Sequence, residues 1–106
     1  MGGKWINRID QEDKRILAAA IETWGPDAQT HMVFEEMSEL QKELCKSARG
    51  KDNRAEIADE IADVEIMLDQ MKLLHGCEAD VEARRAAKIS RLKDRLNKVR
   101  DPEARL

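Results

Sequence analysis

The sequence predicts an all-α fold, an antiparallel helical bundle of about four helices, and three observations carry that expectation. The chain is 39% charged and only 3% aromatic, with no Tyr and one Phe. Two Pro and five Gly leave long uninterrupted stretches in 106 residues. Within those stretches apolar residues recur every three or four positions, the helical period. The length suits one small domain over residues 1–106 with an ordered core of about 10–100. So thin a core favours assembly through shared helices, as a dimer or tetramer.

The first helix is expected from about Asp10 to Thr23, with Ile9, Ile16, Leu17, Ala20, Ile21 and Trp24 as its apolar stripe. Trp24-Gly25-Pro26 interrupts it, and Pro26 suits the first turn of a second helix running to Ala48. There Val33, Met37, Leu40 and Leu44 repeat at 4-3-4, and Gly50 is a natural stop. Asn53 with Glu56 three residues later reads as a capping box opening a third helix. Its stripe is Ile57, Ile61, Val64, Leu68, Met71 and His75, and Gly76 ends it. A fourth helix is expected from about Asp80 to Arg100, with a narrow stripe of Val81, Ile89, Leu92, Leu96 and Val99 suited to a coiled-coil-like seam. Residues 1–8 and 101–106 are expected to be loosely held.

Charge is unevenly spread. Residues 35–80 hold thirteen acids against six Lys/Arg, and residues 81–106 hold nine Lys/Arg against four acids. The net charge of −3 argues against a general nucleic-acid partner. No apolar run reaches membrane-spanning length, so no membrane partner is expected. Two cysteines make no disulfide framework, which suits a reduced, cytoplasmic protein.

The acids are arranged, not scattered. Glu36 and Glu39 lie three apart, as do Glu60 and Asp63, and the two couples are mirror-related about Arg49-Gly50. Each of these acids precedes a residue of an apolar stripe. In an antiparallel hairpin both couples would therefore meet at one height on one flank. Four like charges there raise one another's pKa and call for a cation. All-oxygen ligands select Mg2+, Mn2+ or Ca2+. The alternative is a solvated flank with ion pairs at i+3, such as Glu39 with Lys42. Lys88, Arg91 and Arg95 form a basic stripe at 3-4 spacing, able to hold phosphate oxygens or simply to face solvent.

These residues resemble a known family. The pattern Glu36-x-x-Glu39, twenty residues, then Glu60-x-x-Asp63 is similar to the signature of the MazG-like nucleotide pyrophosphohydrolases of the all-α NTP pyrophosphatase superfamily. FEEMSEL and EIADEIADVEIML frame the two halves, TWGPDAQ precedes them, and KISRLKDRL resembles the closing helix of short phage-type members. The resemblance spans roughly residues 10–98. It implies a helical oligomer and Mg2+-dependent cleavage of a nucleoside triphosphate between its α- and β-phosphates, yielding a monophosphate and pyrophosphate. It implies Glu36, Glu39, Glu60 and Asp63 as metal ligands. One of them, or Glu35 or Glu56, would orient or deprotonate water. Lys88, Arg91 or Arg95 would hold phosphates. For the base, the only rings are Trp24, Phe34 and Trp5, with Gln29 and His31 as hydrogen-bonding partners. Two alternatives stand beside this expectation: a phosphoribosyl-ATP pyrophosphohydrolase, and a helical interaction module that keeps the fold without catalysis.

Overall fold

A computed structural model describes residues 9–101. The expectations for residues 1–8 and 102–106, and for Trp5, lie outside the described residues. Within them are four α-helices and no strand: α1 (Gln11–Trp24), α2 (Pro26–Ala48), α3 (Arg54–Leu74) and α4 (Glu78–Arg100). The chain divides into two compact units, residues 9–76 with α1–α3 and a second that carries α4.

Local chemistry sets each boundary. Asp10 caps α1 by accepting the Glu12 N–H at 2.8 Å, and Glu12 and Asp13 in the first turn suit its positive end. Gly25 separates α1 from α2 at φ 94, ψ 151, a backbone region open in practice only to glycine. Pro26 then starts α2, where its missing N–H is harmless. At the far end of α2 the Gly50 N–H bonds the Ser47 carbonyl and the Lys51 N–H bonds the Lys46 carbonyl. With Gly50 at φ 97, these two bonds form a Schellman stop.

Asn53 departs from the capping-box expectation. It occupies the N-cap of α3, yet its side chain makes no capping bond. Its Nδ2 instead donates to the Glu43 backbone carbonyl at 2.9 Å and to Glu43 Oε1 at 2.7 Å. At 2% exposure Asn53 is the most buried polar residue described, and the bond it makes fixes α3 against α2.

Helix α2 packs on α3, and α1 packs on both. Ile9, Leu17, Val33 and Met67 form the buried apolar core. The inward positions of α2 are Gln29, Val33, Glu36, Leu40 and Glu43, and those of α3 are Asn53, Ile57, Glu60, Val64, Met67, Met71 and Leu74. Both sets repeat at 4-3, the spacing of a helix–helix seam. This seam only half matches the expected apolar stripes. Val33, Leu40, Ile57, Val64 and Met71 are shared, but Met37, Leu44, Ile61 and Leu68 remain 42–47% exposed. The reason is that polar residues occupy seam positions, so four aliphatic side chains sit one residue, or about 100°, away on the outer flank.

In its own unit, α4 begins at Glu78, two residues earlier than expected, with Glu78 and Asp80 in its first turn and Lys98 and Arg100 in its last. Both ends complement the helix dipole. Ile89, Leu92, Leu96 and Val99 are all exposed.

Replacing Asn53 with Leu should lower the urea midpoint of unfolding. The lost bond to the Glu43 backbone carbonyl alone is worth about 1 kcal/mol. An unchanged midpoint would show that the bond does not hold the helices in register.

Candidate metal centre

Helix α2 contributes Glu36 at a seam position, and α3 contributes Glu60 and Asp63, three residues apart on one face. Each offers a carboxylate oxygen, and the three oxygens lie within 4.8 Å of one another. All three residues are half-buried. No described Lys or Arg is bridged to any of them. Glu60 Oε1 is buried and has no hydrogen-bond partner.

The electrostatics follow from this crowding. Burial raises the Glu36 pKa above its ordinary 4.5, and the charges of Asp63, Glu60, Glu35 and Glu39 push it further up. Burial likewise raises Glu60, followed by Asp63, Asp59, Glu39 and Glu43. Glu43 behaves oppositely. The bonds from Asn53 and then Lys46 lower its pKa, and its carboxylate lies 3.0 Å from the Lys46 ammonium. Along one seam, an acid next to the turn is neutralised by its neighbours and the acids farther along are not.

Of the four acids expected to act together, the structure gathers three. Glu39 turns to Lys42, with Nζ 3.2 Å from Oε2. It is still close enough for its charge to act on both Glu36 and Glu60. Lys88, Arg91 and Arg95 lie exposed on α4. Lys88 lines an α4 groove of about 500 Å3 with Val81, Arg84, Arg85, Ile89 and Leu92. Trp24 and Gln29 come together with Ala28 and Met32 around an open cleft of about 480 Å3. Trp24 is exposed, whereas Gln29 is buried. The exposed rings of His31 and Phe34 pack against each other, tilted, with centroids 5.8 Å apart.

Sequence reasoning read Asn53 only as a cap, missing its inward placement, and missed the burial of Gln70. A signal was present. For Asn53 it lay in the heptad register, since Gln29, Glu36 and Glu43 stand seven residues apart and Glu60 follows Asn53 by seven, whereas Gln70 lies off that register. Seven-residue spacing of polar groups marks one face of a helix as strongly as apolar spacing does.

Three half-buried carboxylates without counter-cations form an all-oxygen donor set of the kind that suits a hard divalent ion. The uncompensated Glu60 oxygen fits such a role, because buried acceptors are ordinarily paired. Comparison with known protein families, curated proteins and solved structures gave no match. The family resemblance therefore rests on the quoted residues themselves.

A pH dependence follows. Glu36 and Glu60 have folded-state pKa values above the unfolded value, so their protonation favours the fold. That contribution is present below the unfolded carboxylate pKa and is lost as pH rises through the raised values. In chelator, Glu36→Gln should melt higher than the parent at neutral pH. The gap should close as pH falls below the ordinary value of 4.5. A gap independent of pH, or of opposite sign, would contradict the charge-crowding account.

Proposed function

We propose that this chain is a Mg2+-dependent nucleoside triphosphate pyrophosphohydrolase, with Mn2+ as a substitute ion, acting on a noncanonical or deoxynucleotide in nucleotide-pool control. The observation that carries this reading is the convergence of Glu36, Glu60 and Asp63 at the positions of the MazG-like acid pattern. Those three carboxylates would hold the ion. Glu39 is the fourth candidate, because its exposed pair with Lys42 is worth only about 0–1 kcal/mol. A bound Mg2+ would supply a water of lowered pKa and offset charge on the phosphates. Glu35 and Glu56, flanking the cluster in sequence, are candidates to orient or deprotonate the attacking water. Lys88, Arg91 and Arg95 would supply positive charge for phosphate oxygens.

The reading takes α2 and α3 as an antiparallel pair. Support comes from three pairings that recede from the turn on both helices in step: Glu43 with Asn53, Glu36 with Asp63, and Thr30 with Met71. In such a pair Met37, Leu44, Ile61 and Leu68 share one flank, each displaced in the same sense from a seam residue. We take this flank to be where copies of the chain associate. Covering one such side chain fully contributes about 1.5–3 kcal/mol. Ile61→Glu combined with Leu68→Glu should shift the species seen by sedimentation toward monomer. An unchanged distribution would remove the flank from the assembly.

A panel of deoxy, ribo and noncanonical triphosphates, with Mg2+ and product identification, tests the activity. The expected products are a monophosphate and pyrophosphate. Glu36→Gln and Asp63→Asn should each lower kcat/KM by roughly 100-fold or more, because each removes several kcal/mol of charge stabilisation at the ion. Activity untouched by Asp63→Asn or Glu39→Gln would defeat the proposal. Turnover of phosphoribosyl-ATP in preference to the triphosphates would select that narrower activity. The exposed apolar flank also favours a second reading, a non-catalytic interaction module. Tight partner binding, no turnover and no Mg2+-dependent rise in melting temperature would establish it.

A further inference from the structure

Helix α4 carries an apolar row that its own unit leaves uncovered. Ile89, Leu92, Leu96 and Val99 repeat at 3-4-3 and are 43–71% exposed. In heptad terms Ile89 and Leu96 take a positions, and Leu92 and Val99 take d positions, the pattern of a two-stranded seam. Toward the start of the helix the row stops, because Glu82 and Arg85 take the preceding a and d positions. The seam therefore runs roughly 15 Å.

The rim of this seam has one sign. Its g positions are Lys88 and Arg95, and its e positions are Lys93 and Arg100. All four are exposed, and none is bridged to a described acid. Rim residues decide which helix a seam accepts. In a parallel pair each g position meets an e position of the other helix. In an antiparallel pair g meets g and e meets e. Two copies of α4 would set cation against cation in either direction, so this seam rejects its own copy. A helix with Glu or Asp at the rim turns each repulsion into an attraction.

Two other anionic partners suit the row less well. Nucleic acid answers the cations but leaves the aliphatic side chains in water. A helix that lies on lipid presents a strongly apolar face, commonly with Trp or Phe. The row covers only about 80° of the helix, and α4 has no aromatic residue.

We propose that α4 docks an acidic amphipathic helix of another protein, with the row from Ile89 to Val99 as the seam and its four basic rim residues selecting Glu and Asp on the partner. The inference does not rest on the hydrolase reading. It also separates the two apolar surfaces of the chain, since the flank of Met37, Leu44, Ile61 and Leu68 is the one assigned above to association between copies.

The probe is a labelled synthetic helix of three heptads with Ile and Leu at a and d and Glu at e and g. It is titrated into the full chain and followed by fluorescence anisotropy. The controls are the same peptide with Lys at e and g, and a scrambled peptide of identical composition. The Glu peptide should bind at least tenfold more tightly than either control. Lys93→Glu combined with Arg100→Glu should weaken that binding tenfold or more, as should Leu92→Asp. If charge reversal disturbs α4, Lys93→Gln with Arg100→Gln removes the rim charge without adding any, and circular dichroism checks the helix. Equal binding of the scrambled peptide, or affinity unchanged in these variants, would overturn the inference. So would two other results. A shift toward monomer in sedimentation on Leu92→Asp assigns the row to a second copy. Binding to phosphatidylserine vesicles that is lost in Leu92→Asp, with no binding of the Glu peptide, assigns it to a lipid surface. Triphosphate hydrolysis without Glu-peptide binding removes the docking and keeps the enzyme, and peptide binding without hydrolysis does the reverse.

Discussion

The bond from Asn53 to Glu43 is the constraint on which the rest of the α1–α3 unit depends. It ties the first residue before α3 to a position about one and a half turns from the end of α2. Between the two lies only the Schellman stop at Gly50 and a short connection. Such a brief link leaves the helices one degree of freedom, sliding past each other by a residue or a turn, and a buried side-chain bond removes it. Every level farther along the seam inherits that register. A slip of one residue would rotate Glu60 and Asp63 by about 100° relative to Glu36 and disperse the cluster.

The same seam explains why this unit has so small an apolar core. Gln29, Glu36, Glu43, Asn53 and Glu60 occupy inward positions that Leu or Ile would fill in a bundle optimised for stability. The displaced aliphatics, Met37, Leu44, Ile61 and Leu68, lie outside and half-exposed. Their contribution to burial is realised only when another surface covers them. A seam built of carboxylates and amides trades intramolecular burial for an internal row of polar groups. Residues that break the local pattern at such a cost are the expected mark of function.

Much of this was legible in the sequence because short-range chemistry decides it. The break at Gly25-Pro26 and the stop at Gly50 follow from backbone preferences, and α2 falls at its expected bounds. Grouping Glu36 with Glu60 and Asp63 required only helix phase and a turn. What was not legible depended on which of two overlapping faces of α2 and α3 turns inward. The apolar stripe and the polar heptad share Val33 and Leu40, and apolarity favoured the stripe. The long-range bond of Asn53 settles the competition, and its sequence context, Asn followed by Glu at the third position, imitates a capping box. Gln70 was hidden for the same reason, since a polar residue next to Met71 reads as the solvent side of the stripe.

Glu39 shows how the charge balance of the cluster remains open. Its carboxylate is held by Lys42 on an exposed turn of α2, yet its charge raises the pKa of both Glu36 and Glu60. A fourth acid drawn inward without a cation would add to repulsion that burial already worsens, so Lys42 is the better partner while the cluster holds only its own charges. A divalent ion reverses the sign of that preference, because each added carboxylate then meets net positive charge. The separation of Glu39 from the other three is thus what electrostatics dictates for four acids and no cation, and it is compatible with all four serving as ligands. The pair with Lys42 is itself weak and screened by solvent. Glu43, one turn farther on and locked by Asn53 and Lys46, has no such freedom and belongs to the frame.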